Sequence, residues 1–250
     1  MRYSLFFYLF QKAKIRLGIL KLTKEDVDIL ESFFAYYRQL NPKHKIDFEK
    51  RLVYFLAIKK FVPRGIEMVT REMELLIGAT AVMISFGFQD VHLKHFKKIL
   101  VYGDNYYSTI NLQYHQGEVN PRLGIIVISW KNFVKGMEDG TDGINLGIHE
   151  MAHALKLENQ IHYNGQSNFF SPKRWMDFSV LAKNEIQRIM DGEDSIFRDS
   201  AANNPHEFFA VALESFFENP QRLKDYDSGL YQSLAFLLKQ DPIVLSNGRS

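Results

Sequence analysis

His149-Glu150-Met151-Ala152-His153 sets two imidazoles four residues apart with a carboxylate beside the first. On an α-helix, residues four apart lie nearly above one another, about 40° apart around the axis. Both rings can then reach one metal ion. Glu150 is turned about 100° from His149, close enough to take a proton from a water at that ion without filling a ligand position. The chemistry this spacing could perform is metal-assisted hydrolysis. Two partly buried histidines on a helix flank would produce the same pentapeptide, and a third ligand decides between the readings.

A catalytic zinc keeps three protein ligands and one open position. Two familiar completions are missing. The metzincin pattern needs Gly and His where this chain has Lys156 and Asn159. A thermolysin-type Glu has no candidate, because the stretch where it would fall reads Pro172-Lys173-Arg174. The acids left are Glu158, Asp177, Asp199 and Glu207. Glu158 lies on or just past the motif's own helix, from which it is not expected to fold back onto the metal. Glu207 opens an aromatic and aliphatic segment, Pro205 to Glu214, that must be buried. With Asn204 as N-cap and Pro205 at N1, Glu207 also stands at N3, where a capping box and the helix dipole account for it equally well. Glu214 and Glu218 share its face, as a solvated edge or as partners behind the ligands. His206 is expected at the surface. His92, His95, His115 and His162 have no evident partner and read as structural or exposed.

The elements that must position these groups follow from periodicity and caps. Ile148, Met151, Ala152 and Leu155 form the apolar stripe of the motif helix, with Asp142 as its expected N-cap. Upstream, Thr23 with Asp26 makes a capping box. It opens a helix striped by Val27, Leu30, Phe34 and Tyr37 and ended by Asn41-Pro42. Phe48 to Phe61 and Glu67 to Phe86 read as two further helices. Ile99 to Tyr102 is a short apolar run before the Gly103-Asp104-Asn105 turn, and Leu123 to Trp130 reads as a strand. Helices resume near Gly143, Pro172, Pro205 and Leu230. The expectation is an α+β fold, mostly helical with a small central sheet: one domain over residues 1–250, with a helical part to residue 90 and a metal-site part from 91.

Composition narrows the function classes. A chain of 250 residues with 46% hydrophobic and 24% charged residues is globular. A net charge of +2 gives no footing for nucleic acid as the default partner. The absence of cysteine removes disulfides, thiolate metal sites and thiol nucleophiles, and suits a cytoplasmic location. Leu75 to Phe88 is too short to cross the roughly 30 Å of a bilayer core. Residues 1–22 carry Arg2, Lys12, Lys14, Arg16 and Lys21 with no acid, and lack a signal-peptide cleavage site. Contact with an anionic membrane surface through them is a lesser reading than a helix packed on the domain with a solvated basic face.

The chain resembles the Mlc titration factor A family of zinc-dependent peptidases, whose catalytic part is similar to that of anthrax lethal factor. The likeness runs from about Phe48 to Pro242. It rests on Phe48 to Phe61, Gly117-Glu118-Val119, Ser129-Trp130, Asp142 to His153, Trp175, and Asn204 to Phe217 followed by Asn219-Pro220. It implies a zincin-type fold and a zinc metallopeptidase acting on a peptide or protein. By that resemblance His149, His153 and Glu207 bind Zn²⁺ and Glu150 is the general base. Two departures stand out. Lys156 replaces a common Asp, and Ser200 replaces a common Tyr thought to stabilise the oxyanion; Tyr163 and Arg198 are candidate substitutes, with Glu214 a partner behind the ligands. The strand Leu123 to Trp130 is expected to pair with an extended substrate. The alternative implied by the family is a regulatory protein that sequesters a transcriptional repressor, with little or no peptidase activity.

Overall fold

A computed structural model of the chain describes residues 5–108, 113–140, 142–161 and 168–246. Helix α1 (Leu5–Arg16) packs on α4 (Pro42–Ile58) and is tied by Lys12 to Asp90 at 2.7 Å. Its outer face is apolar as well as basic, since Phe6, Leu9 and Phe10 are exposed. Both arms of the expected capping box are present at α2 (Lys24–Phe33), with Thr23 and Asp26 each accepting from the other's backbone. Asp26 also receives two 2.9 Å bonds from Arg71, which fastens α2 to α5 (Arg71–Ser85).

Several boundaries differ from the sequence reading. The helix expected to run to Asn41 breaks at extended Phe34 and restarts as α3 (Ala35–Gln39), while Leu30, Phe34 and Tyr37 remain buried together. Asn41-Pro42 does not only end a helix. The Asn41 side chain accepts from His44 N at 2.8 Å and Pro42 takes N1, so α4 starts six residues before Phe48. Phe61 belongs to strand β1 (Lys60–Arg64) rather than to that helix. Between Leu75 and Ser85, α5 is buried on every side, as its unbroken apolar run requires.

Five more strands follow: β2 (Lys98–Tyr102), β3 (Tyr106–Ser108), β4 (Gln113–His115), β5 (Gly117–Asn120) and β6 (Ile125–Ser129). β3 and β4 pair with each other, and the main sheet has the order β1-β2-β6-β5. Its first three strands are parallel and β5 is antiparallel to β6. This corrects the expectation that Leu123 to Trp130 pairs with substrate. β6 has neighbours on both sides, Gly124 adopts φ +63° ahead of it, and Trp130 already begins α6 (Trp130–Glu138). The sheet's margins among the described residues are β1 and β5, and β5 is the one beside α7.

The remaining helices are α7 (Leu146–Gln160), α8 (Pro172–Met190), α9 (Pro205–Glu218), α10 (Pro220–Tyr226), α11 (Ser228–Leu238) and α12 (Pro242–Ser246), with a 3-10 turn at Asp199–Asn203. The fold is mostly helical α+β. One buried cluster runs from Leu30 and Phe48 through Ile126 and Met151 to Phe216 and Leu238. Helix α7 lies in its middle, packed on α5, α9 and the sheet. No helix among the described residues is long and apolar enough to cross a membrane.

Candidate metal centre

The motif helix is capped by Asn145, not by Asp142. Asn145 Oδ1 accepts from Ile148 N at 2.9 Å, whereas Asp142 Oδ1 accepts from Ile144 N at 2.8 Å in the turn before it. Gly143 at φ +71° turns the chain between them and so displaces the cap by three residues. Ile148, Met151, Ala152 and Leu155 are buried, as the stripe requires. His149 and His153 then stand on the flank with ring centroids 4.7 Å apart.

Helix α9 supplies the third group. Asn204 accepts from the backbone N–H of His206 at 2.8 Å and of Glu207 at 3.1 Å, and Pro205 takes N1. The Glu207 side chain takes no capping-box bond to Asn204 N and turns instead to the imidazoles. Its Oε1 lies 3.2 Å from His153 Nε2 and its Oε2 lies 3.4 Å from His149 Nε2. The two Nε2 atoms are 3.1 Å apart. Ligand atoms about 2.0–2.2 Å from a tetrahedral zinc are about 3.3 Å from one another, so the donor set fits such an ion in chemistry and in spacing. These three residues are the one group of metal-compatible donors found among the described residues.

Behind His149 lies Glu214, which is fully buried. Its Oε1 accepts from His149 Nδ1 at 2.7 Å, so the ring keeps its Nε2 lone pair for the opposite side. Arg198 donates to both Glu214 oxygens, at 2.6 and 3.1 Å, and Asn145 N donates at 2.6 Å. Asn145 Nδ2 reaches on to Gly136 O and Glu218 Oε1, both at 2.9 Å. Glu214 is thus no solvated face: donors from Arg198 and from the cap and first turn of α7 converge on it.

Charge shifts follow this crowding. Burial works against a charged His149, but hydrogen bonds to Glu207 and Glu214 outweigh it and raise its pKa to about 10. The same bonds from His149 and His153 hold the Glu207 carboxyl well below the usual range. A positive charge between the three residues is strongly favoured. Glu150 is buried, and that burial, with Glu207, Glu214 and Glu118 nearby and against the pull of His149, pushes its pKa up to about 7. Gly117 at the start of β5 makes room for it, because a Cβ there would sit 2.4 Å from Glu150 Oε1. A cleft of about 450 Å³ opens here, lined by Gly117, Lys135, His149, Glu150, Arg198 and Glu214.

The chain thus brings together His149, Glu150, His153 and Glu207. Ser200 is exposed and accepts from Arg198 Nε at 3.1 Å, on the Nδ1 side of His149. Tyr163 and His162 lie outside the described residues. Asp177 and Asp199 are exposed, and Glu158 is buried elsewhere, accepting from His95 N at 3.2 Å. His206 is exposed as expected. His92 is buried over the Tyr54 ring, and His95 bonds Pro121 O at 2.5 Å. Sequence reasoning missed Asn145 and the close approach at Gly117. A glycine heading a strand was the available signal for the second.

The glucose-regulated metallo-peptidase M90 family profile matches residues 10–238. The chain is 27% identical over 232 residues to the uncharacterized protein slr2042 of Synechocystis, covering 86% of this chain and 84% of that one. It is 28% identical over 210 residues to the Mlc titration factor A of Yersinia pestis, covering 76% and 75%. The Yersinia pseudotuberculosis counterpart gives the same figures, 28% over 210 residues.

Proposed function

The chain belongs to the glucose-regulated metallo-peptidase M90 family, and from that premise we propose that it is a zinc-dependent peptidase working at the centre just described. One observation carries the reading. Two imidazole nitrogens 3.1 Å apart on one helix each face an oxygen of one carboxylate from another, at 3.2 and 3.4 Å, with the buried carboxyl of Glu150 beside them. His149, His153 and Glu207 would hold the ion in a zincin-type arrangement. When bound, zinc supplies Lewis acidity that lowers the pKa of a water and polarises the scissile carbonyl.

The chain's own groups do the rest. Glu150 takes the proton of the attacking water and returns it to the leaving amine. Glu214 fixes the tautomer of His149, and Arg198 and Asn145 fix Glu214. β5, with one hydrogen-bonded neighbour among the described residues, offers its free margin to an extended peptide in the role first expected of β6. The relatives' name, a titration factor for Mlc, favours a second reading in which the chain sequesters a transcriptional repressor. Glu150→Gln separates the two. Under the peptidase reading kcat/KM falls by about 10²–10⁴, while zinc content, measured by elemental analysis, stays at the wild-type level. Peptide cleavage by Glu150→Gln at the wild-type rate would exclude the proposed mechanism.

A further inference from the structure

The C-terminal half of α7 carries a group that the metal centre leaves unused. Lys156, one turn past His153, is only 5% exposed. Its ammonium has no ion-pair partner among the described residues, and residues 162–167, which lie outside them, contain no acid. Lys59, the other buried lysine among the described residues, donates to the carbonyls of Leu93 and Phe96. Lys156 has instead the face of Trp175, 5.1 Å from its Nζ. An aromatic face attracts a cation but accepts no conventional hydrogen bond, so no acceptor among the described residues fills the ammonium's donors.

The space beyond it is a cavity of about 200 Å³, lined by Lys156, Asn159, Gln160, Asn168, Phe170 and Trp175. Its wall is fixed. Asn159 accepts from Phe170 N through Oδ1 and from Asn168 N through its carbonyl, both at 2.9 Å, and the Phe170 ring stacks on Trp175 at 5.5 Å. The volume is below the roughly 300 Å³ at which pockets for drug-sized ligands begin, and suits one small group. A cation, neutral amides and aromatic carbon call for an anion that brings its own acceptor oxygens.

Position says where that anion comes from. Three residues of helix advance about 4.5 Å along the axis, and an extended peptide advances about 3.3 Å per residue. A carboxylate within about three residues of the cleaved bond would reach this depth. We propose that the cavity at Lys156 is a carboxylate subsite for the peptide substrate, with Lys156 as the residue that selects it. This rests on the peptidase reading above and narrows it to peptides carrying either an acidic side chain or a free C-terminus near the cleaved bond.

The test is equilibrium binding of fluorescently labelled hexapeptides to the full chain in the non-hydrolysing Glu150→Gln background, read by anisotropy at pH 7. One peptide carries Gln and an amidated C-terminus. The second replaces Gln by Glu, and the third keeps Gln but frees the C-terminus. Binding of the second or the third at least tenfold tighter than the first is expected, and which one wins identifies the source of the carboxylate. Lys156→Met should remove the preference and Lys156→Arg should restore it. Raising the pH from 7 to 9.5 should erode it in the unsubstituted Lys156 protein, which supplies a measurement free of any folding defect in the variants. Equal affinity for all three peptides, or a preference that survives Lys156→Met, overturns the proposal. If the preference holds but wild type cleaves none of the peptides, the peptidase reading fails and the subsite stands.

Discussion

At the N-terminal half of α7, polar groups from three segments pair with one another: His149, Asn145, Arg198 and Glu214 close a network in which the carboxylate receives a donor from each of the others. At the C-terminal half of the same helix, Lys156 is also buried and has an indole face for company. The first arrangement is complete before any substrate arrives, and it holds an imidazole in one orientation, as a site for metal and proton transfer must. The second is complete only when an anion enters. One helix therefore carries a preorganised end and a ligand-completed end, with the candidate metal centre between them.

The contrast makes its largest prediction at Glu214. Glu214→Ala strands the Arg198 guanidinium, the Asn145 N–H and His149 Nδ1 at once. Removing one member of a buried charged network costs about 3–5 kcal/mol, and loss of a carboxylate behind a metal-bound histidine costs about 10–100-fold in metal affinity. Urea unfolding and competition with a zinc chelator measure the two losses. Asn145→Ala comes next, with about 0.5–2 kcal/mol from the lost cap and a smaller change in metal affinity, since its backbone bond to Glu214 survives. If either variant is as stable as wild type, the N-terminal network is not the preorganised one.

How much of this could be read from the sequence depended on the range of the interaction. His149, Glu150 and His153 were legible because i, i+4 spacing on a helix is a local rule. Glu207 was legible as a candidate, and its N3 position left cap and ligand tied. The tie is broken by the direction of the carboxylate, whose two oxygens lie against His149 and His153 from the neighbouring helix. Glu214 could not be placed, because its burial depends on Arg198 and Asn145, 16 and 69 residues away. The Thr23–Asp26 capping box was local and correct, whereas β1 was lost to a helix by its neighbours' periodicity. β5 was invisible as a sheet margin, since strand order is set by long-range pairing that no window of residues contains. Lys156 drew notice as a departure from the family, but only the packing of Trp175 and Phe170 around it exposes its unmet charge.

At the other end of α7 the sign reverses. Lys156→Met removes a buried cation with no ion-pair partner among the described residues and should leave the protein as stable as wild type or more so at pH 7. Burial lowers the Lys156 pKa to about 8 from 10.5, with His206 the neighbouring titratable group. A lowered pKa in a base means that the unfolded chain binds the proton more tightly. Wild type therefore gains stability as pH rises from about 8 to 10.5, and the variant's advantage should vanish across that window. Thermal melts at pH 7 and 10 check it; a variant destabilised at both would erase the difference between the two ends.

The last difference between the two ends lies in the one imperfection of the N-terminal network. Glu218 Oε2 is buried without a hydrogen-bond partner, while Oε1 accepts from Asn145. Burial, offset by the Asn145 bond and reinforced by Glu214, Asp142 and Asp139, pushes the Glu218 pKa up to about 8 from 4.5. The folded chain keeps this proton between those values and the unfolded chain sheds it. Wild type must then lose stability from about pH 4.5 to about 8, with no further loss above. Glu218→Gln keeps an acceptor for Asn145 and has no proton to lose. Its melting temperature should match wild type near pH 4.5 and exceed it by a few degrees at pH 8.5. This window lies below that of Lys156 and slopes the opposite way, so melts of the two variants across pH 4.5 to 10.5 separate the two ends of the helix. A flat difference for Glu218→Gln would mean that water, not a retained proton, satisfies Oε2, and the N-terminal end would then be as open to solvent as the cavity at Lys156.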